Sequence, residues 1–222
     1  MDFIEFWTIC SSNGIVLSKE QIFQFERYYN EMTYWNQKVN LISRKDEENF
    51  LEKHILHSLT LIKYYEIPHK ARMLDVGTGG GLPGIPLTIA RPDIYTTLID
   101  SIGKKMKITE MFAKHTGIKS MKTVTGRVEE LIRNRQYAHS FDLVVSRGVA
   151  KISEIAQWVY RLMKPEGVIA LFKGGDLSEE IETAKQLFNN MDVEVIDIDI
   201  LGAPWFKEDE KKLVICRSKS DS

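Results

Sequence analysis

Cysteine is almost missing. Cys10 and Cys216 are the only two in 222 residues, and they stand at opposite ends of the chain. A zinc ribbon, an iron–sulfur cluster or a disulfide scaffold needs closely spaced thiols, so none of these is expected. No histidine or carboxylate cluster has ligand spacing either, and no metal is expected. No apolar run approaches the roughly eighteen residues of a membrane-spanning helix. The opening Met-Asp-Phe-Ile-Glu-Phe-Trp carries two acids and no basic stretch, unlike a secretory signal. The expectation is a cytoplasmic protein without a membrane partner. Neither sign of charge is in excess. Thirty basic residues against thirty-one acidic ones leave −1, so any nucleic-acid binding needs a local patch. Internal repeats and low-complexity tracts are also lacking.

What is present is glycine, concentrated in one place. Arg72-Met-Leu-Asp-Val reads as a short apolar strand, and Gly77, Gly79, Gly80, Gly81 and Gly84 follow at once. Ile85-Pro-Leu-Thr-Ile-Ala then reads as a helix, with Pro86 in its first turn, where a missing N–H costs nothing. A strand, a glycine turn and a helix start together make a ligand site, because free backbone N–H groups point at whatever lies there. Two cofactor types use such a turn. The dinucleotide pattern fits one register, Gly79-x-Gly81-x-x-Gly84, but fails from Gly77, where Leu82 takes the third glycine position. Asp75, two residues before the first glycine, would repel a pyrophosphate and suit a cationic ligand. S-adenosylmethionine, with its sulfonium and ammonium, matches that charge.

Around this turn the chain changes character. Residues 1–67 read as helices. Ser18 with Gln21 makes a capping box, and Ile22, Phe25, Tyr28, Met32, Trp35 and Val39 recur at helical spacing. A third helix is predicted from about Asp46, with Leu51, Ile55, Leu59 and Ile62 inward and His54 and His57 sharing a face. From 71 to 218 strands alternate with helices. Strands are predicted at 95–100, 123–125, 141–146 and 168–172, with Lys164–Gly167 as a turn and an antiparallel pair at 193–200 and 213–216. The sum is an α/β, doubly wound parallel sheet with an antiparallel edge. Ligands bind such sheets at the carboxyl ends of the strands. That rule collects Asp75–Gly81, Asp100, Val128, Glu129, Arg147 and Lys173. Asp100 ends a strand about twenty residues after the turn, where an acid accepts from ribose hydroxyls; it could equally cap the next helix.

Between residues 101 and 127, Lys104, Lys105, Lys107, Lys114, Lys119, Lys122 and Arg127 face only Glu110. Beside a cofactor edge this fits a track for a phosphate backbone, which Arg44, Lys45, Lys207, Lys211 and Lys212 could extend. An Asn-Pro-Pro-Tyr-type motif, which holds an exocyclic amine for methylation, is missing after the fourth strand. Neither cysteine ends a strand, which disfavours attack on a pyrimidine ring. Guanine N7 needs neither device, since it is unprotonated at neutral pH and loses no proton on methylation.

Several motifs occur in one order: Trp35-Asn36, Asn40-Leu41, His54-Ile-Leu-His57-Ser-Leu, Asp75-Val-Gly-Thr-Gly-Gly-Gly-Leu-Pro-Gly-Ile-Pro, Asp100-Ser-Ile-Gly-Lys-Lys105, Gly126-Arg-Val-Glu-Glu, Val145-Ser-Arg147-Gly and Ala170-Leu-Phe-Lys-Gly-Gly175. From about Tyr28 to Arg217 the series resembles the ribosomal RNA small-subunit methyltransferase G family, also called the glucose-inhibited division protein B family. The resemblance implies a class I S-adenosylmethionine-dependent methyltransferase with a Rossmann-like domain and a helical extension. It also implies methylation of guanine N7 in small-subunit ribosomal RNA, naked or in the small ribosomal subunit. A monomer is expected, though the sequence leaves oligomeric state open. Carried over by motif, Gly77 and Leu82 line the cofactor; the turn and strand-end reading adds Asp75, Gly79, Gly81, Asp100 and Arg147 as cofactor-binding candidates. Val128 and Glu129 take its adenine side. Arg147 stands at the active-site mouth and, with Lys104, is a catalytic candidate. Lys104, Lys173 and Lys211 match basic positions near the RNA, and Lys105 of the basic run is a further RNA-binding candidate. His57 departs from the pattern, standing where the family usually has an aspartate. Two other readings stay open on the residues alone: a small-molecule methyltransferase, and a non-catalytic nucleotide-binding module.

Overall fold

The computed structural model of the chain describes residues 1–43 and 46–218. Seven strands form one sheet: β1 (Arg72–Val76), β2 (Tyr95–Asp100), β3 (Met121–Thr125), β4 (Phe141–Arg147), β5 (Met163–Gly174), β6 (Met191–Asp197) and β7 (Lys211–Ser218). Their order is β3-β2-β1-β4-β5-β7-β6. The first five run parallel, and β7 lies antiparallel between β5 and β6. Strand order reverses beside β1, which puts the glycine turn at the switch point where such sheets open a crevice.

Side chains alternate across the strands with period two. Met73, Leu98, Leu143, Val145, Phe172 and Leu213 face one side, and Leu74, Ile99, Val144, Leu171 and Val214 face the other. On the first side lie α1 (Phe3–Ser12), α2 (Lys19–Asn36), α3 (His57–Tyr64), α4 (Gly84–Ala90) and α5 (Gly103–His115). On the second lie α6 (Ile152–Val159) and α7 (Ser178–Leu187), while the short α8 (Trp205–Glu208) joins β6 to β7. Phe6, Phe25, Tyr28, Met32 and Leu59 from the N-terminal helices are buried in the same apolar cluster as Met73 and Leu213 of the sheet.

The capping box that opens α2 is formed, and Gln21 does a second job there. Its side-chain amide donates to the carbonyls of Ile89 and Ala90 at 2.8 and 3.0 Å, satisfying the last carbonyls of α4. The third helix departs from its predicted form. Residues Leu51–Leu56 make a π-helical turn, and α-helical bonding resumes only at His57. His54 and His57 therefore do not share a face. His54 reaches Arg147, whereas His57 sits edge-on among Phe172, Trp205 and Phe206. The fifth strand also begins earlier than its apolar run. Met163 pairs with Phe141, pairing resumes at Val168 opposite Leu143, and Lys164–Gly167 bulges out between them. Gly167 is required at the neck of the bulge, because a Cβ there would meet the carbonyls of Phe141 and Lys164 at 3.0 Å.

A core shared by the N-terminal helices and the sheet should melt as one unit. We expect Leu59→Ala to cost roughly 2–5 kcal/mol. We also expect urea unfolding followed by tryptophan fluorescence and by far-ultraviolet circular dichroism to coincide, since Trp7 and Trp35 lie in the helices and Trp158 in the α/β part. Two separated transitions would show independent folding of the two regions.

Candidate active site

The glycine turn is held in shape by one buried carboxylate. Asp75, next to last in β1, faces the N-terminal helices with no exposure to solvent. Its Oδ2 accepts from the Thr78 hydroxyl at 2.6 Å and from the Gly84 amide at 2.8 Å, tying strand, turn and helix start together. Gly84 leaves room for this bond, because a Cβ there would lie 2.7 Å from Oδ2 and 2.3 Å from Leu98. Gly77, Gly79 and Gly81 have φ of +69°, +56° and +98°, values that side chains disfavour. Asp100, at the end of β2, accepts from the Gly79 amide at 3.0 Å and from the Ile102 amide at 2.9 Å. It therefore fixes the glycine turn and the chain leading into α5, whose own start has no side-chain cap.

On the carboxyl edge of the sheet the turn opens into a cleft of about 340 Å³. Val76, Gly77, Ile99, Asp100, Val128 and Glu129 contribute to its wall. Val128 is buried and Glu129 exposed, because the chain turns into a 3₁₀ helix there. Val149 and Trp158 complete the wall, and neither carried a local signal in the sequence. They arrive from the loop after β4 and from α6. Val149 sits so close to Gly77 that a Cβ on Gly77 would lie 2.4 Å from its side chain. A larger cleft of about 410 Å³ lies at the opposite, amino edge, beside Tyr160, Lys164 and Arg217. It has no glycine turn, and its cations are already paired, Lys164 with Asp142 and Arg217 with Glu194.

Asp75, Gly79, Gly81, Leu82 and Arg147 do not line the open cleft. Asp75 and Leu82 are buried behind the turn, and the missing side chain of Gly81 makes room for Ile85 and Thr109. Arg147 ends β4 and donates to His54 Nδ1 at 2.6 Å. Arginine has no acceptor, so this bond places the imidazole proton on Nε2. Burial, then the Arg147 charge, lowers the His54 pKa to about 3, so the ring is neutral. Its Nε2 stands 3.7 Å from an Asp46 oxygen, beyond hydrogen-bond reach. Burial also brings the Arg147 pKa down to about 10, and the guanidinium stays protonated at neutral pH. Both cysteines are buried away from the cleft, with thiols pushed up to about 12.

The basic residues divide. Lys104 is exposed at the start of α5, Lys105 borders a groove with Asn40, Leu41, Ile42 and Ser43, and Arg127 lies at the cleft rim. Lys173 turns inward instead. Its ammonium donates to the Ala150 carbonyl and to Glu180, both at 2.8 Å, so it fastens the loop after Arg147 to α7. Lys211 is half-buried beside Asp209 at 3.8 Å, Lys114 pairs with Glu110, and Lys207 pairs with Asp199. Arg44 and Lys45 lie outside the described residues.

The cleft accepts a cationic, phosphate-free ligand better than a dinucleotide. The Gly79 amide, which a diphosphate would need, is already taken by a carboxylate, and Asp100 and Glu129 both border the space. Among the described residues, no group of three or more histidines, cysteines or carboxylates could hold a metal ion, and no helix is long and apolar enough to cross a membrane.

Comparison with known proteins agrees with this geometry. The model of a family described as rRNA small subunit methyltransferase G matches residues 21–211. A ribosomal RNA small subunit methyltransferase G of Chlorobium phaeobacteroides is 41% identical over 81% of this chain and 79% of its own length. One from Halalkalibacterium halodurans is 31% identical over 99% of this chain and 92% of its own. Among solved structures, a precorrin-6y C5,15-methyltransferase from Geobacter metallireducens has a TM-score of 0.52 at 16% identity, covering 74% of this chain and 88% of that one. The YcgJ protein of Bacillus subtilis reaches 0.55 at 16%, covering 75% and 99%. At that identity the likeness is one of fold, the α/β fold of class I S-adenosylmethionine-dependent methyltransferases.

The buried Asp75 makes a pH test. Burial raises its pKa from 3.8 to about 7, against the opposing bonds from Thr78 and Gly84 and the Arg147 charge. Between those values the folded chain keeps a proton that the unfolded chain releases, so this group's contribution to stability falls as pH rises. His54 acts oppositely: its stability contribution is lost as pH falls from 6.5 toward 3. Asparagine at position 75 can still accept both bonds through its carbonyl. We therefore expect the melting-point difference, Asp75→Asn minus parent, to grow more positive from about pH 4 to about pH 8. A difference that stays flat in a thermal-shift series would contradict a raised pKa.

Proposed function

The chain belongs to the rRNA small subunit methyltransferase G family, and from this we propose that it moves a methyl group from S-adenosylmethionine to N7 of a guanine in small-subunit ribosomal RNA. The observation that carries the cofactor reading is the cleft bordered by Asp100 and Glu129, beside a turn whose Gly79 amide Asp100 already occupies. S-adenosylmethionine supplies an activated methyl group on a sulfonium centre. The protein binds and aligns it. Asp100, Val128 and Glu129 hold the nucleoside end, Gly77 meets the chain of the cofactor with Leu82 and Asp75 supporting the turn from behind, and Arg147 lies toward the reacting end.

Guanine N7 has a free lone pair, so the reaction asks the protein for alignment and not for proton removal. In-line positioning alone can supply roughly 7–11 kcal/mol. The polar groups fit that demand. His54 is a neutral ring whose acceptor nitrogen is already used by Arg147, and no thiol reaches the cleft. Arg147 must leave N7 free, so it takes O6, a phosphate or the cofactor carboxylate, in contrast to the bidentate grip arginine usually makes on guanine. Lys104, Lys105 and Arg127 form the RNA-facing edge. The target base is flipped out or in a loop, because the RNA major groove is too deep and narrow to expose N7. Cleft, turn and basic edge all come from one chain, so a monomer suffices. The helical region 1–67 and the domain 71–218 serve as its two working parts. The reaction places it in the cytoplasm with its RNA.

Incubation with methyl-labelled S-adenosylmethionine and small-subunit RNA should give 7-methylguanosine at one mapped position. Gly77→Ala, strained by φ +69° and colliding with Val149, should lower the rate roughly 10²-fold. Label in free guanosine but not in RNA, or on another base atom, would refute the proposal. RNA affinity should fall steeply with salt, and Lys104→Ala should reduce the slope by about one. An unchanged slope would remove Lys104 from the RNA-facing edge.

A further inference from the structure

Most backbone groups of the glycine turn are hydrogen-bonded. The amides of Gly77 and Thr78 donate to the Ile99 carbonyl, Gly79 to Asp100, and Gly81 and Leu82 to the Thr78 carbonyl. On the carbonyl side, Gly79 receives from Thr109 at 2.8 Å and Gly81 from the Ile85 amide at 2.7 Å. The Gly80 carbonyl receives from the Tyr28 hydroxyl at 2.8 Å. This is the one bond in the set that comes from the N-terminal helices.

Tyr28 lies in the middle of α2 and is completely buried. Its ring is held edge-on by Phe50 and Phe112, at centroid distances of 5.5 and 5.7 Å. One helical turn on, Met32 reaches the same glycine, and a Cβ on Gly80 would lie 2.6 Å from its methyl carbon. Leu41 closes the other side, 3.3 Å from that position. Leu41 is itself pinned by buried Asn36, whose Oδ1 accepts from the amides of Leu41 and Ile42 at 2.9 and 3.0 Å. The Trp35-Asn36 and Asn40-Leu41 pairs noted in the sequence are thus the strap that brings Leu41 onto the turn.

We infer that Tyr28 is a positioning residue for the methyl donor. Its hydroxyl sets the Gly80 peptide, and through it the Gly77–Gly81 backbone, in the conformation that receives S-adenosylmethionine, so the N-terminal helices tune donor affinity. The inference rests on the cofactor reading proposed above. A phenylalanine would fill the same space between Phe50 and Phe112, so packing does not call for the hydroxyl. The Gly80 carbonyl does, since a buried acceptor without a donor is costly. Burial holds the phenol well above its ordinary pKa, so it remains a donor throughout the working range. Coupling of this kind is reciprocal: a turn that binds better when α2 is docked must also make α2 harder to open when the donor is bound.

The experiment is Tyr28→Phe in the full chain, with S-adenosylmethionine binding measured by calorimetry and methylation of small-subunit RNA measured in parallel. We expect the donor's Kd and KM to rise about 5- to 10-fold, with kcat and the KM for RNA within about twofold of the parent. Tyr29→Phe, which removes a neighbouring hydroxyl from a ring packed on Phe3 and Phe50, should bind the donor like the parent. A folded Tyr28→Phe variant with unchanged donor affinity would overturn the inference, as would a loss confined to kcat. Should that variant fail to fold, the parent decides by hydrogen exchange. Donor binding should slow exchange in residues 24–36 as well as 78–82, and protection confined to the turn would overturn the inference. If the parent itself does not bind S-adenosylmethionine, the cofactor reading falls and takes this inference with it. Equal binding by parent and variant would leave that reading intact.

Discussion

Everything at the active edge depends on a carboxylate that no solvent reaches. Asp75 gathers the Thr78 hydroxyl and the Gly84 amide on one oxygen, so the strand cannot move without carrying the turn and the helix start with it. Its other oxygen is buried without a partner. Such a group is expensive, and it persists because the surrounding packing permits no alternative. The charge logic read from the sequence survives in altered form. The acid that faces the open cleft is Asp100, while Asp75 works from behind as the fastening of the turn.

The second constraint is the division of labour between the two sides of the sheet. Helices α6 and α7 bring Trp158 and the tethered loop 148–151 to the cleft. The N-terminal helices supply no wall of the open cleft, yet they hold the back of the turn and pair His54 with Arg147. A partly buried arginine keeps its charge more readily where a neighbour accepts from it, and the neutral imidazole does so where an ion pair would have neutralised it. That leaves the positive charge available at the end of β4.

Local order was legible wherever the cause was local. The limits of β1 and β2, the capping box at Ser18 and the helix start after Gly84 follow from apolar runs, caps and glycines within a few residues of each other. What escaped depended on distant partners. Lys173 reads as a free cation until Glu180 and the Ala150 carbonyl are seen to consume it. Val149 and Trp158 are ordinary apolar residues until the sheet brings them to Gly77 and the cleft. The histidine pair departs from a common face because helical spacing assumes 3.6 residues per turn, and the backbone there does not keep to it.

That irregularity has a consequence for how lineages of this chain can vary in length. A π turn is an α-helix carrying a surplus residue. Deleting one residue between Leu51 and Leu56 would mend the bonding ladder, yet rotate everything on one side of the cut by about 100° relative to the other. His54 would then leave Arg147, or His57 would leave its aromatic nest. Insertions and deletions should therefore be tolerated in surface loops while this stretch keeps its awkward count, a helix held out of phase with itself because its two histidines look in different directions.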